Sequence, residues 1–441
     1  MFPLAQRILE ALARSTAMLV LAIALPVRAQ DVLRGHGGPV RALGVSSDAR
    51  ELVSGGFDTA VIVWDLDRGS ARRVLRFHDG PVNAVATMRG GCIVSAGEDA
   101  RVAVWCGVDE APLYVLQGHL APVSSLAVLD RGRLLASGGF DGTVRLWDLQ
   151  VPGADRMLVQ HAGPVTALAA TPDGRGVVSA DFDGVVRQSR VGADGAPGLV
   201  RLDGPVSAIA VAPDGEIVAA SSDGHVRIVT STWSGGSLQV ARDIAVDEIP
   251  LASLALSPDG RLIAVAGLNG GVAVIERASG RITARLTGPG LPVWSLAFDR
   301  DNRTLYTGGA DRVIRRWDAV AGTALTPTVP EPPDPALSSE RGARVFRACQ
   351  ACHTVRADDG PRAGPTLAGV FGRRIGTAPG YLYSAAFGKL DIVWSAETIA
   401  RLFEVGPAAF TPGTKMPEQT ITDPADRAAL IDWLEKVTKP R

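Results

Sequence analysis

One short pattern returns at near-constant intervals along most of this chain, and that periodicity limits the possible folds more than any other feature. His36-Gly37-Gly38-Pro39-Val40 recurs as His78-Asp79-Gly80-Pro81-Val82, His119-Leu120-Ala121-Pro122-Val123 and His161-Ala162-Gly163-Pro164-Val165. Weaker copies follow as Asp203-Gly204-Pro205-Val206, Ile249-Pro250-Leu251 and Gly290-Leu291-Pro292-Val293. The last residues of successive copies are 42, 41, 42, 41, 45 and 42 positions apart. Several units close on Trp-Asp, at Trp64-Asp65, Trp147-Asp148 and Trp317-Asp318, with Trp105-Cys106 as a variant. A period of this size with such endings reads as a ring of small antiparallel sheets, a β-propeller.

Within each unit, short alternating segments are separated by turn chemistry. In Thr171-Pro172-Asp173-Gly174 and Ser257-Pro258-Asp259-Gly260, proline presets φ and glycine supplies the positive φ. Asp141-Gly142, Asp183-Gly184 and Asp223-Gly224 read as tight hairpins. On these motifs the region resembles WD-repeat proteins, and seven units then imply seven blades. Val32-Leu33-Arg34-Gly35-His36 precedes the first unit and has the phase of an outer strand without its own blade. It is expected to complete the last blade and so close the ring.

His36, His78, His119 and His161 share one repeat position, with Asp58, Asp99, Asp141 and Asp183 in the hairpins. In WD repeats such His, Asp, Ser and Trp residues form hydrogen-bond networks inside each blade. Equivalent positions also fall in different blades, too scattered to bind one ion. His225 stands alone and reads as a surface residue. Cys92 and Cys106 fall in one blade, and a turn near Asp99 sets them nearly opposite each other. A cross-strand disulfide fits an oxidising compartment, but a register shift of one residue would put them on opposite faces.

The C-terminal quarter carries different chemistry. Cys349-Gln350-Ala351-Cys352-His353 is the attachment signature of a c-type haem. Each thiol adds to one vinyl group, the two-residue spacer lets both reach one porphyrin edge, and the histidine supplies the proximal nitrogen. A redox dithiol would need a βαβ context and a zinc site would need more ligands nearby, and neither is present. Of six histidines, only His353 lies beyond residue 225, and of five methionines only Met416 lies beyond residue 157. Met416 sits in a loop with Pro412 and Pro417 on either side, which suits a thioether sixth ligand for electron transfer.

Segment 338–439 resembles class I cytochrome c, closest to the mitochondrial type and its bacterial relatives. The resemblance rests on Gly342 and Phe346 ahead of the haem motif, on Gly364-Pro365-Thr366-Leu367-Ala368-Gly369-Val370-Phe371-Gly372-Arg373, on Ala378-Pro379-Gly380-Tyr381-Leu382-Tyr383-Ser384, on Ile392-Val393-Trp394, and on Pro412 to Met416. A C-terminal helix from Pro424 to about Val437 would turn Leu430, Trp433 and Leu434 inward. The resemblance implies an all-α domain holding one covalent haem c, with His353 and Met416 on the iron. It implies that the Pro365 carbonyl accepts the other ring proton of His353, and that Arg373, Tyr383, Trp394 and Thr414 surround the propionates. Two departures are visible. Leu402-Phe403 stands where the family has a tyrosine near the methionine, and an asparagine near the haem edge is replaced around Phe387.

Arg7 and Arg14, the apolar run Ala17–Leu25 and Val27-Arg28-Ala29 read as a cleavable signal peptide, too short to span a bilayer. The expected organisation is a signal peptide at 1–29, a seven-bladed propeller at 30–326, a proline-rich spacer at 327–337 and the haem domain at 338–441. The expected compartment is the periplasm, with no membrane span after cleavage. A net charge of -1 provides no basic field for nucleic acid. The function expected is single-electron transfer by an electron carrier rather than an enzyme, with a redox partner docking on the propeller, the haem edge or both. The alternative is an oxidoreductase or a haem-based redox sensor whose propeller holds a substrate or second cofactor.

Overall fold

The structure is a computed structural model that describes residues 32–439, apart from 152, 154, 193–197, 232–236, 289, 326–337, 357–360, 382 and 384. The signal-peptide reading at 1–29 and the proline-rich spacer at 327–337 lie outside the described residues.

The repeats form seven antiparallel sheets, one per unit, arranged as a propeller. Blade 1 consists of Val40–Val45, Glu51–Gly56, Ala60–Asp65 and Ser70–Arg76. Blade 2 consists of Val82–Thr87, Ile93–Gly97, Arg101–Trp105 and Tyr114–Gln117. Each innermost strand begins with a register shift just after its first residue, between Val40 and Ala42 in blade 1 and at the matching place in every other blade. That first residue is buried against the preceding blade. Val82 packs with Val53 and Val61 of blade 1, so the cores lie between blades rather than within them. A small residue on the neighbouring strand makes the approach possible. A side chain at Gly55 would meet Val82 at 2.5 Å, and one at Gly138 would meet Val165 at 2.6 Å.

Blade 7 contains Val293–Phe298, Thr304–Gly309 and Val313–Asp318, and its outer position is filled from the other end of the propeller. Val32–Arg34 pairs antiparallel with Val313–Asp318, matching Val32 to Arg315 and Leu33 to Ile314. Leu33 is buried beside Trp64 and Ile314. The pair Thr323–Ala324 adds to the far end of the same strand, opposite Trp317 and Asp318. Closure therefore uses three residues from the start of the propeller and two from its end, which covers an edge that would otherwise present unpaired backbone groups.

Each of the first four blades holds a buried polar network. In blade 1, His36 Nδ1 lies 3.0 Å from Asp58, His36 Nε2 lies 2.7 Å from Ser54 Oγ, and Trp64 Nε1 donates to the same hydroxyl at 2.8 Å. Blade 3 repeats this with His119, Asp141, Ser137 and Trp147. Blade 4 corrects the sequence expectation. His161 pairs with Asp181 at 2.8 Å, not with Asp183. Asp181 lies opposite Val165, the place that Gly56 occupies opposite Val40, so a carboxylate at the glycine position takes over the contact. In blade 2 the Cys92–Cys106 disulfide is formed, with pairing of Ile93 to Trp105 placing the two cysteines opposite each other.

Among its described residues the C-terminal domain contains four α-helices: α1, Arg341–Phe346; α2, Ala396–Val405; α3, Pro407–Phe410; and α4, Pro424–Val437. Ser395 and Thr398 cap α2 reciprocally. The Asp423 carboxylate accepts from the Ala425 amide and Pro424 begins α4. Helices α1 and α4 touch at Gly342, where a side chain would collide with the Ala429 carbonyl and with Trp433. Phe346 stacks on Trp433 with ring centres 4.9 Å apart. Among the described residues no helix is long and apolar enough to cross a membrane.

Candidate functional site

The end of α1 winds directly into the cysteine motif. The amides of Cys349 and Gln350 donate to the Phe346 carbonyl, and those of Cys352 and His353 donate to the Cys349 carbonyl at 3.1 and 3.0 Å. This winding brings Cys349, Cys352 and His353 onto one short coil. Cys349 is buried in the domain core, while Cys352 is half-buried on the side toward the propeller. Burial pushes the Cys349 thiol to about 12 and the Cys352 thiol to about 11. Both are therefore protonated at neutral pH, the opposite of the lowered pKa of a working redox dithiol.

His353 is held by the segment that follows. Its Nδ1 lies 2.7 Å from the Pro365 carbonyl. This fixes the ring's orientation and leaves Nε2 as the nitrogen that can coordinate a metal. Burial lowers the imidazole's pKa, so it is the neutral, ligating form that is favoured. The segment passes close beneath the ring. A side chain at Gly364 would sit 2.6 Å from His353 Cε1, and the Gly364 amide donates to the Cys352 carbonyl at 2.8 Å.

Met416 follows α3 across a tight turn. Gly413 has φ +82°, the Thr414 amide donates to the Thr411 carbonyl at 3.1 Å, and the Met416 amide donates to Thr414 Oγ1 at 3.1 Å. The Met416 side chain packs on the same core that holds Cys349, together with Leu367, Trp394 and Phe410.

The remaining expected site residues fall in three places. Arg373 and Trp394 share one clamp: the Arg373 guanidinium donates to the Thr366 and Ala368 carbonyls at 2.7 and 3.0 Å, and the Trp394 amide donates to the Arg373 carbonyl at 2.9 Å. Tyr383 lies in an aromatic group with Tyr381 and Phe387, at ring distances of 4.6 and 5.2 Å. Burial raises its pKa and the Arg373 charge opposes that rise. Thr414 stands apart from these, on the Met416 backbone.

The donor set fits a c-type haem. Two protonated thiols lie on one coil, a neutral histidine has one nitrogen anchored, and a thioether packs on the same core. His353 and Met416 would hold the iron, and Cys349 and Cys352 the porphyrin edge.

Sequence reasoning missed the groups that reach this site from the propeller. Arg76 donates to the Arg362 carbonyl at 2.5 Å and the Ala363 carbonyl at 3.2 Å, and its guanidinium lies 4.0 Å from the centre of the Tyr381 ring. The Ala363 amide donates to the Gly35 carbonyl at 2.9 Å. Lys415 Nζ donates to the His78 carbonyl at 2.7 Å and lies 3.4 Å from Asp79. A side chain at Gly37 would collide with the Cys352 sulfur. No local pattern marks these residues, because their partners lie hundreds of positions away.

Comparison with known proteins agrees with this architecture. Residues 339–438 match the cytochrome c family. Residues 28–65, 110–148, 155–188, 199–229 and 280–318 match the WD domain, G-beta repeat family. The C-terminal domain is 39% identical to a cytochrome c of Cochliobolus lunatus over 102 residues, which is 23% of this chain and 94% of that protein. It is 40% identical to a cytochrome c of Sesamum indicum over 98 residues, 22% of this chain and 87% of that protein. It is 41% identical to a cytochrome c of Ulva intestinalis over 108 residues, 24% and 93% respectively.

Proposed function

The chain belongs to the cytochrome c family through its C-terminal domain, and from this premise we propose that it is a periplasmic one-electron carrier with His353 and Met416 as axial ligands and a propeller that docks its redox partner. The family makes it an electron-transfer haem protein with one covalent haem c, and the WD40 propeller provides a protein-interaction surface. Bound through Cys349 and Cys352, the haem supplies a reversible one-electron change at iron. The protein's own residues set the conditions. The Pro365 carbonyl orients His353, and the Thr411–Met416 turn presents the thioether. The buried core around Cys349 keeps water from the proximal coil. His/Met ligation favours the reduced form, which suits transfer over oxygen chemistry. The periplasmic assignment is supported by the signal-like N-terminus and by the Cys92–Cys106 disulfide, which belongs to an oxidising compartment.

The observation that carries this reading is the anchored, neutral His353 on the same coil as both thiols. Protein matured in a periplasm should retain one haem per chain after acid–organic extraction. Its oxidised form should show the far-red sulfur-to-iron charge-transfer band. Met416→Ala should abolish that band, lower the midpoint potential and admit carbon monoxide to the ferrous iron. Extractable haem, or a native protein that already lacks the band, overturns the assignment.

A further inference from the structure

The propeller touches both segments that carry the axial ligands. On the histidine side it holds residues 362 and 363, just ahead of the Pro365 carbonyl that orients His353. The grip combines the Arg76 fork, the stacking of Arg76 on Tyr381 and the backbone bond from Ala363 to Gly35. Tyr381 closes the arrangement by donating to the Ala363 carbonyl at 3.1 Å. On the methionine side it holds Lys415, the residue immediately before Met416. Between the two grips, Gly37 packs against the Cys352 sulfur.

The acceptor for Lys415 is rigid. His78 is buried, with Nδ1 3.0 Å from Asp99 and Nε2 2.6 Å from Ser95 Oγ, so its carbonyl is fixed by the blade 2 network. An acceptor already held in place restrains a loop more effectively than a mobile one, because less freedom is lost on forming the bond. The ion pair to Asp79 adds little, since both side chains are substantially exposed.

We infer that the propeller is a brace for the haem iron, with Arg76 and Lys415 as positioning residues that hold the histidine-bearing and methionine-bearing segments in their ligating geometry. This rests on His353/Met416 ligation. The propeller is then part of the redox centre's construction as well as a platform beside it. Loosening either grip frees a ligand segment to open without touching a ligand.

The test is imidazole binding to the ferric, full-length holoprotein, followed by loss of the far-red band, together with the midpoint potential. Arg76→Ala and Lys415→Ala should each raise the imidazole binding rate by about tenfold, the effect of losing hydrogen bonds to a charged group. Both should lower the potential, and Lys415→Arg should stay close to wild type. An unchanged propeller melting transition in each variant ties the effect to the brace. Wild-type imidazole rates and potentials in both alanine variants, with the far-red band present, overturn the brace and leave the ligation intact. A wild-type protein without the band overturns the ligation and the brace together.

Discussion

His119 and His161 are buried, and burial lowers their imidazole pKa values despite hydrogen bonds to Asp141 and Asp181 that pull the other way. An unfolded histidine titrates near 6.5. The folded chain thus binds fewer protons than the unfolded chain below that value, and stability is lost as the pH falls from about 6.5 through the folded values. Burial raises the Asp141 pKa, but hydrogen bonds from Thr143 and Leu120 outweigh it and hold the carboxyl below its ordinary range. Its contribution is present above about pH 4 and is lost below. Both shifts act in the same direction, so the propeller's melting temperature should be lower at pH 5 than at pH 7.5 and fall again below pH 4. A higher melting temperature at pH 5 would contradict this assignment of charge states. The networks also differ in how much each serine carries. Ser137 Oγ serves both His119 and Trp147, so Ser137→Ala leaves two buried ring nitrogens unpaired and should cost roughly 1–3 kcal/mol. Ser95 serves His78, while Trp105 Nε1 has no hydrogen-bond partner among the described residues. Ser95→Ala should therefore destabilise less than Ser137→Ala in urea titrations, and equal losses would remove the distinction. The recurrence of these residue types was legible in the repeats. The exchange of Asp183 for Asp181 was not, because both carboxylates lie in one hairpin and only the fold decides which one faces His161.

At the scale of strands, repeat phase located the blades and the closing strand. Val32–Arg34 is an outer strand that arrives before its own blade, and a ring is the arrangement that gives it a partner. The addition of Thr323–Ala324 to the same blade was not legible, since two residues carry no alternation to read. Register was also beyond the sequence. The second and third strands of most blades are buried on both faces, so the in–out pattern that normally fixes register is absent. That is why the sequence left the pairing of Cys92 with Cys106 open and the structure decides it. The bond links residues 14 positions apart. Cross-linking a loop of about 15 residues restricts the unfolded chain by about 3 kcal/mol. Replacing both cysteines by serine should lower the propeller's melting temperature by several degrees while leaving the haem spectrum unchanged. A spectral change would tie blade 2 to the iron more tightly than the Lys415 contact alone.

At the scale of the whole molecule, the two domains were separately legible and their contact was not. The haem motif, the methionine loop and the repeats each follow from local chemistry. Arg76 with Tyr381, or His78 with Lys415, could be paired only once the folds were in hand. Gly37 offers the cleanest probe of that contact. It lies in the loop between the closing strand and blade 1, its backbone is not in the left-handed region, and the group nearest a new side chain is the Cys352 sulfur. Gly37→Val therefore places a wedge between the domains without straining the propeller turn. The Gly37 amide can keep its 2.6 Å bond to Asp58. The variant should keep the melting transition of the propeller, because the atoms a new side chain would meet, on Cys352 and Ala363, belong to the haem domain. In small-angle scattering its radius of gyration should increase, as the haem domain separates from blades 1 and 2. Imidazole should then reach the iron at least as fast as in Arg76→Ala, since one wedge disturbs both grips. An unchanged radius of gyration with unchanged imidazole kinetics would mean that the domains do not meet at Gly37 in solution, and the brace would lose its geometric basis.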